Sequence, residues 1–206
     1  VSFMDLYSMT TGLIGQKGRR GALMISMDIS HPDIEEFIDV KTDLEKVTKA
    51  NISVRISDEF MNAVKNKEKY TCKFVVENSG EEIIKEVDAY SLFMKLVKNN
   101  WDFAEPGMLF WDNIKNYHLL SEDKDFKHDG VNPCAEEPLP AGGSCLLGSI
   151  NLSEFVVEPF TENAIFDMEK FKDCVQDCIL GLNEVLDEGL ALHPLKEQQL
   201  SVSQYR

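Results

Sequence analysis

The sequence predicts an α/β protein, and three observations carry that prediction. Asn51-Ile52-Ser53-Val54-Arg55-Ile56 alternates polar and apolar without a break, the two-residue period of a half-buried strand with Ile52, Val54 and Ile56 inward. Met168 to Leu190 spaces Phe171, Val175, Ile179, Leu182 and Leu186 as the buried stripe of one long helix. Helical and strand patterns interleave along the chain instead of separating into blocks, as an α/β fold requires.

The remaining elements follow from local chemistry. Ser2 to Ile14 sets Phe3, Leu6, Tyr7, Leu13 and Ile14 at helical spacing, and Gly15 closes it. Gly15 to Gly21 holds three glycines in seven residues, too much backbone freedom for a regular element, so it reads as a loop. Ala22 to Ile29 is a strand, and His31-Pro32-Asp33 opens a helix with proline in its first turn. Lys41 to Ala50 is polar and charged, a connection. Ser57 caps a short helix reaching about Asn66. Cys72 to Glu86 is a hairpin around Asn78-Ser79-Gly80, and Asp88 to Trp101 a helix burying Leu92, Phe93, Leu96 and Val97. Asn116 to Val131 is loop-like, and Cys145 to Leu152 is a strand.

Composition bounds the function classes. The 206 residues fit one domain, or part of a larger one, with 43% hydrophobic and 28% charged residues giving an ordinary globular balance. Against 21 Lys+Arg stand 36 Asp+Glu, a net charge of −15 that repels polymeric nucleic acid and anionic membranes. No apolar run reaches membrane-spanning length. Lys17, Arg19 and Arg20 form the one dense basic cluster, and their glycine-rich setting suits either a phosphate or plain surface charge. Cys72, Cys134, Cys145, Cys174 and Cys178 lack the spacing of a disulfide framework, which points to a reducing cytoplasm.

Chemistry concentrates in Asn132 to Leu152, NPCAEEPLPAGGSCLLGSINL. Pro133 pushes Asn132 away from helical geometry, and extended backbone would project Asn132, Cys134 and Glu136 to one side. An amide, a thiol and a carboxylate together supply a sulfur reactant, a base and a group that holds a hydroxyl. Cys145 follows Cys134 by eleven positions, within reach of a folded-back loop. Taken alone, the trio fits equally well a small buried cysteine beside a solvated glutamate. Cys174 and Cys178, an i, i+4 pair, read as structural cysteines, as does Cys72.

The run NPCAEEPLPAGGSCLLGSINLSEF resembles the active-site finger loop of ribonucleotide reductases, with its Asn-x-Cys-x-Glu motif and second cysteine. VSFM, GQKGRRGALM, HPDIEEFIDVK, NISVRISDEFM and GMLFWDN follow in the family's order, so nearly the whole chain is covered. The resemblance implies an internal fragment, 1–206, of the large catalytic subunit. It implies part of a ten-stranded α/β barrel with the finger loop threaded through it.

The activity so implied is radical reduction of ribonucleotides, as in a ribonucleoside-diphosphate reductase with a disulfide as acceptor. Cys134 would become a thiyl radical and take hydrogen from C3′ of the ribose, while Glu136 takes the 3′-hydroxyl proton. Asn132 would bind the ribose hydroxyls, and Cys145 would be one of two reducing thiols. The wording is most similar to adenosylcobalamin-dependent enzymes, with a di-iron or iron/manganese radical subunit as the alternative. Implied partners are a ribonucleotide substrate, deoxynucleotide or ATP effectors, thioredoxin or glutaredoxin, and a second copy in a homodimer. Two readings compete: a nucleotide-binding module without catalysis, and a zinc-stabilised interaction module using Cys134, Cys145, Cys174 and Cys178.

Overall fold

The computed structural model describes residues 1–14, 21–120 and 122–205. The chain divides into two compact units, Val1–Pro138 and Leu139–Arg206. The first runs α1 (Met4–Leu13), β1 (Met24–Asp28), α2 (Ile34–Asp39), β2 (Asn51–Ile56), α3 (Asp58–Asn66), β3 (Lys69–Val75), β4 (Glu82–Asp88), α4 (Ala89–Phe103), β5 (Gly107–Phe110), α5 (Trp111–Asn116) and β6 (Gly130–Val131).

β2 is the central strand of a three-stranded parallel sheet of order β1-β2-β5. Its alternation gives the sheet two unlike faces. Ile52 pairs with Ile25, Val54 with Met27 and Met108, and Ile56 with Phe110, which makes one face wholly apolar. That face belongs to a core shared with Ile34, Phe37 and Ile38 of α2, Phe60 of α3, and Leu92 and Leu96 of α4. The other face is mostly polar, with Asn51 beside Met24, Ser53 beside Ser26, and Arg55 beside Asp28. Gly107 sits next to Ser53 there, and a Cβ on it would stand 2.7 Å from the Ser53 hydroxyl. The parallel strands form an open sheet among the described residues.

The helix ends are set by their caps. Ser57 Oγ accepts from the Phe60 amide at 3.1 Å, as expected from its position before an apolar run. Asp88 accepts from the Ser91 amide at 2.7 Å to start α4, and its hydrogen bonds from Ser91 hold its carboxyl below the usual carboxylate range. Asn99, buried on α4, donates to the Ile38 carbonyl at 3.0 Å and to Asp39 at 3.1 Å, tying α4 to α2. The antiparallel β3–β4 hairpin packs Tyr70, Cys72 and Val87 on the same core. Of the Lys41 to Ala50 connection, Lys41 and Thr42 fall in a 3-10 turn (Val40–Thr42) and the rest is irregular, as predicted, yet anchored: the Val47 amide donates to Asp5 and the Lys49 amide to Ser8, both at 2.9 Å. The strand β5 was not apparent from periodicity, because four residues between Pro106 and Trp111 are too few to show a period.

β7 (Pro138–Leu139) is a two-residue strand at the junction of the two units. The second unit continues with a 3-10 turn (Leu152–Phe155), β8 (Val156–Val157) paired antiparallel with β9 (Ile165–Phe166), α6 (Met168–Leu192) and α7 (Lys196–Gln204). Two expectations fail here. Residues 144–151 form no strand; a strand needs neighbours for its N–H and C=O groups, and the described ladder of this unit is the short β8–β9 pair. The α6 stripe is not fully buried either. Phe171, Val175, Leu182 and Leu186 are half-buried and Ile179 is 54% exposed. Phe155 and Phe166 cover its first turns through Phe171, with ring centroids 5.3 and 5.5 Å away.

The core assignment yields a stability test. Phe37 is fully buried, so Phe37→Ala is expected to destabilise the fold by about 3–5 kcal/mol, the range for deleting a core aromatic ring. Denaturant unfolding measures it, and a loss near zero would place Phe37 outside the core.

Candidate active site

Asn132 organises the loop that carries the thiol. Its backbone amide donates to the Glu137 carbonyl at 3.1 Å, and its side-chain Oδ1 accepts from the Glu137 amide at 2.9 Å. Its carbonyl accepts from the Ala135 amide at 2.9 Å, closing a β-turn with Pro133 at the position that proline's fixed φ favours. Ala135 follows at φ +67°, left-handed geometry that a non-glycine residue adopts at a cost. The segment is therefore a closed turn, not the extended run expected from Pro133. Local hydrogen bonds from an asparagine side chain outcompete extension here.

The turn gathers Asn132, Cys134 and Glu136 in one loop of the first unit, with Cys134 and Glu136 both exposed. Asn132 is part-buried, and with Oδ1 engaged its NH2 is the end available to an outside group. A further contact comes from the sheet. Asn51 Nδ2, at the start of β2, donates to the Pro133 carbonyl at 2.6 Å. Periodicity placed Asn51 on the polar face of its strand, but nothing in the sequence signals a partner 82 positions away.

Cys145 belongs to the second unit, exposed within the irregular 144–151 segment. The turn ahead of it is held by the Gly143 amide on the Pro140 carbonyl, 3.0 Å, and by Ser201 Oγ on the Ala141 carbonyl, 2.8 Å. Gly142 is left-handed at φ +71°, and a Cβ there would meet Gln198 at 3.1 Å. Lys17, Arg19 and Arg20 lie outside the described residues.

All five cysteines are free thiols. Cys72 is buried, directs its sulfur at the Ile29 carbonyl, and is pushed up in pKa by that burial. Cys174, part-buried on α6, is raised first by desolvation and then by its hydrogen bond with Cys178. Among the described residues no three His, Cys, Asp or Glu side chains are gathered as a metal ion requires. Ahead of the turn, the rings of His118, Phe126 and His128 cluster with centroids 4.6–5.0 Å apart, His128 meeting the other two edge to face. Burial first, then the neighbouring His118, holds His128 below the usual histidine range. Among the described residues, no helix is long and apolar enough to cross a membrane.

Comparison with known proteins bears on what this loop is for. Residues 1–206 match the family model described as ribonucleotide reductase, barrel domain. The chain is 34% identical to a vitamin B12-dependent ribonucleoside-diphosphate reductase of Thermoplasma acidophilum, over 91% of this chain and 23% of that relative. It is 33% identical to a vitamin B12-dependent ribonucleotide reductase of Streptomyces clavuligerus, over 89% and 21%. A vitamin B12-dependent ribonucleoside-diphosphate reductase of Mycobacterium tuberculosis is 30% identical over 91% and 26%. The chain thus spans about a fifth to a quarter of the length of these relatives.

The two thiol environments predict different chemistry. Iodoacetamide is expected to alkylate Cys134 at least about tenfold faster than Cys72, since reaction needs an accessible thiolate and burial disfavours one. Peptide mass spectrometry over a time course checks this; equal rates would contradict the assigned exposure.

Proposed function

Because the chain belongs to the ribonucleotide reductase barrel-domain family, we propose that it carries the radical-bearing loop of an enzyme that reduces ribonucleotides to deoxyribonucleotides. The observation that carries this reading is the turn itself: an exposed thiol, Cys134, held between Asn132 and Glu136 by hydrogen bonds internal to the loop. The three parallel strands would be part of a ten-stranded barrel, with the turn as its finger loop. Further strands would then supply the wall that excludes water from a sulfur radical.

In the proposed reaction, a thiyl radical at Cys134 Sγ takes the hydrogen atom from C3′ of the ribose. The S–H bond forms, the C3′–H bond breaks, and the unpaired electron passes to C3′. The Glu136 carboxylate accepts the 3′-hydroxyl proton, which eases departure of the 2′-hydroxyl as water once it has gained a proton. The Asn132 NH2 donates to a ribose hydroxyl oxygen. Cys145 and a second thiol supply two electrons and two protons, which make the departing water and the new C2′–H bond, and become a disulfide, while Glu136 returns its proton to the 3′-oxygen. Cys134 then returns its hydrogen atom to C3′ and is a thiyl radical again.

The relatives' vitamin B12 dependence suggests adenosylcobalamin as the radical source. A free thiol on a closed turn fits that role, since its hydrogen is the one to be removed. When bound, the cofactor supplies the radical that converts the Cys134 thiol to a thiyl. Ribonucleoside diphosphate is the proposed substrate, with deoxynucleotide or ATP effectors and thioredoxin or glutaredoxin as reductant. A homodimer in the cytoplasm completes the proposal.

Two substitutions in the full-length protein test the assignment. Cys134→Ser preserves shape but replaces the weak S–H bond with an O–H too strong for reversible abstraction; deoxynucleotide formation should disappear while nucleotide binding persists. Appreciable turnover would remove Cys134 from the mechanism. Glu136→Gln keeps size and polarity without a proton acceptor, so single-turnover rates should fall by about 100-fold or more, with little change in substrate affinity. An unimpaired chemical step would mean that the base lies elsewhere.

A further inference from the structure

The turn bearing Cys134 makes one side-chain contact with the parallel sheet that the proposed chemistry does not use. Asn51 Nδ2 donates to the Pro133 carbonyl at 2.6 Å, a short and long-range hydrogen bond. Asn51 is itself fixed at both ends. Its backbone amide donates to the Leu23 carbonyl at 2.8 Å, and its residue pairs in register with Met24 on β1. The connection leading into it is equally constrained. The Ala50 amide donates to the Val47 carbonyl, the Ala50 carbonyl accepts from Lys41 Nζ, and Lys41 is ion-paired with Glu105.

On the other side of the contact, Pro133 immediately precedes the thiol. The bonds inside the loop, all between Asn132 and residues 135 and 137, define the turn's shape. They do not define where the turn stands over the sheet. Among the described residues, the Asn51 side-chain amide supplies a hydrogen bond that links the turn to the sheet. Its donor is well placed, because a carbonyl one residue before the sulfur cannot move without carrying the sulfur along.

We propose that Asn51 is a positioning residue for Cys134, its side-chain amide fixing the thiol-bearing turn at the start of β2. This rests on the reading of Cys134 as the reacting thiol. The proposal requires loss of the donor to displace the sulfur while leaving the substrate contacts of other residues in place.

The test compares native full-length protein with Asn51→Asp, which keeps the shape but sets a carboxylate against the carbonyl, and Asn51→Leu, which keeps the size without a donor. Both are expected to lower kcat by about 10- to 100-fold, the scale on which an ångström of misplacement acts, with KM for the ribonucleotide moving less than about twofold. Without substrate or turnover, the iodoacetamide rate at Cys134 should change while that at Cys72 stays the same. Unchanged kcat, a rise in KM that accounts for the whole loss, or an unchanged Cys134 alkylation rate would each overturn the proposal, as would failure of both variants to fold. If the native protein forms no deoxynucleotide but the alkylation rate still responds to Asn51, the functional reading fails and the tether stands.

Discussion

Everything in the first unit is arranged around β2, a strand whose backbone is paired in parallel on both edges. A central strand leaves its side chains as the sole means of telling one side of the sheet from the other, and six residues are enough to do so. Ile52, Val54 and Ile56 commit one side to the helices, since each would be costly to leave in water. Asn51, Ser53 and Arg55 are thereby committed to the opposite side, where the thiol-bearing turn is attached through Asn51. A shift of one residue in register would exchange the two sides and bring the polar set into the core. Core and site are two readings of the same alternation.

The turn follows a different logic. It has little apolar surface to bury, so its form depends on satisfying polar groups locally. Asn132 uses its amide, its carbonyl and its side-chain oxygen for that purpose, and proline removes one donor that would otherwise need a partner. The residues flanking the sulfur are thus hydrogen-bonded to one another even though the loop lies outside any long element. Reactive groups on such loops keep their geometry through hydrogen bonds where a helix or strand would keep it through packing.

What could be seen in the sequence tracks how local its causes are. The caps at Ser57, the hairpin around Asn78 to Gly80 and the alternation of Asn51 to Ile56 depend on neighbours within a few positions, and all three appear as expected. The chemical trio was legible as residue types, but its geometry was not, because the competition between an extended run and an asparagine-closed turn is settled by Glu137 and Ala135 together. The tether from Asn51 has no local signature at all. The 144–151 segment reads as a strand by composition, yet strand formation depends on partners that a pattern of side chains cannot supply. Likewise the stripe on α6 is apolar by spacing, whereas burial depends on what is laid against it, and Ile179 is exposed.

The way Asn132 closes its own loop restricts what it can say to a ligand. An amide ordinarily offers both a donor and an acceptor, and can flip to suit either. With Oδ1 committed to the Glu137 amide, a flip would sacrifice that bond, so the side chain presents one polarity. To a ligand that reached it, the residue would behave as a fixed donor, matched to an oxygen lone pair and not to a group that has only hydrogens to offer. Selectivity between a hydroxyl and an ammonium at that point would come from a bond the ligand never touches.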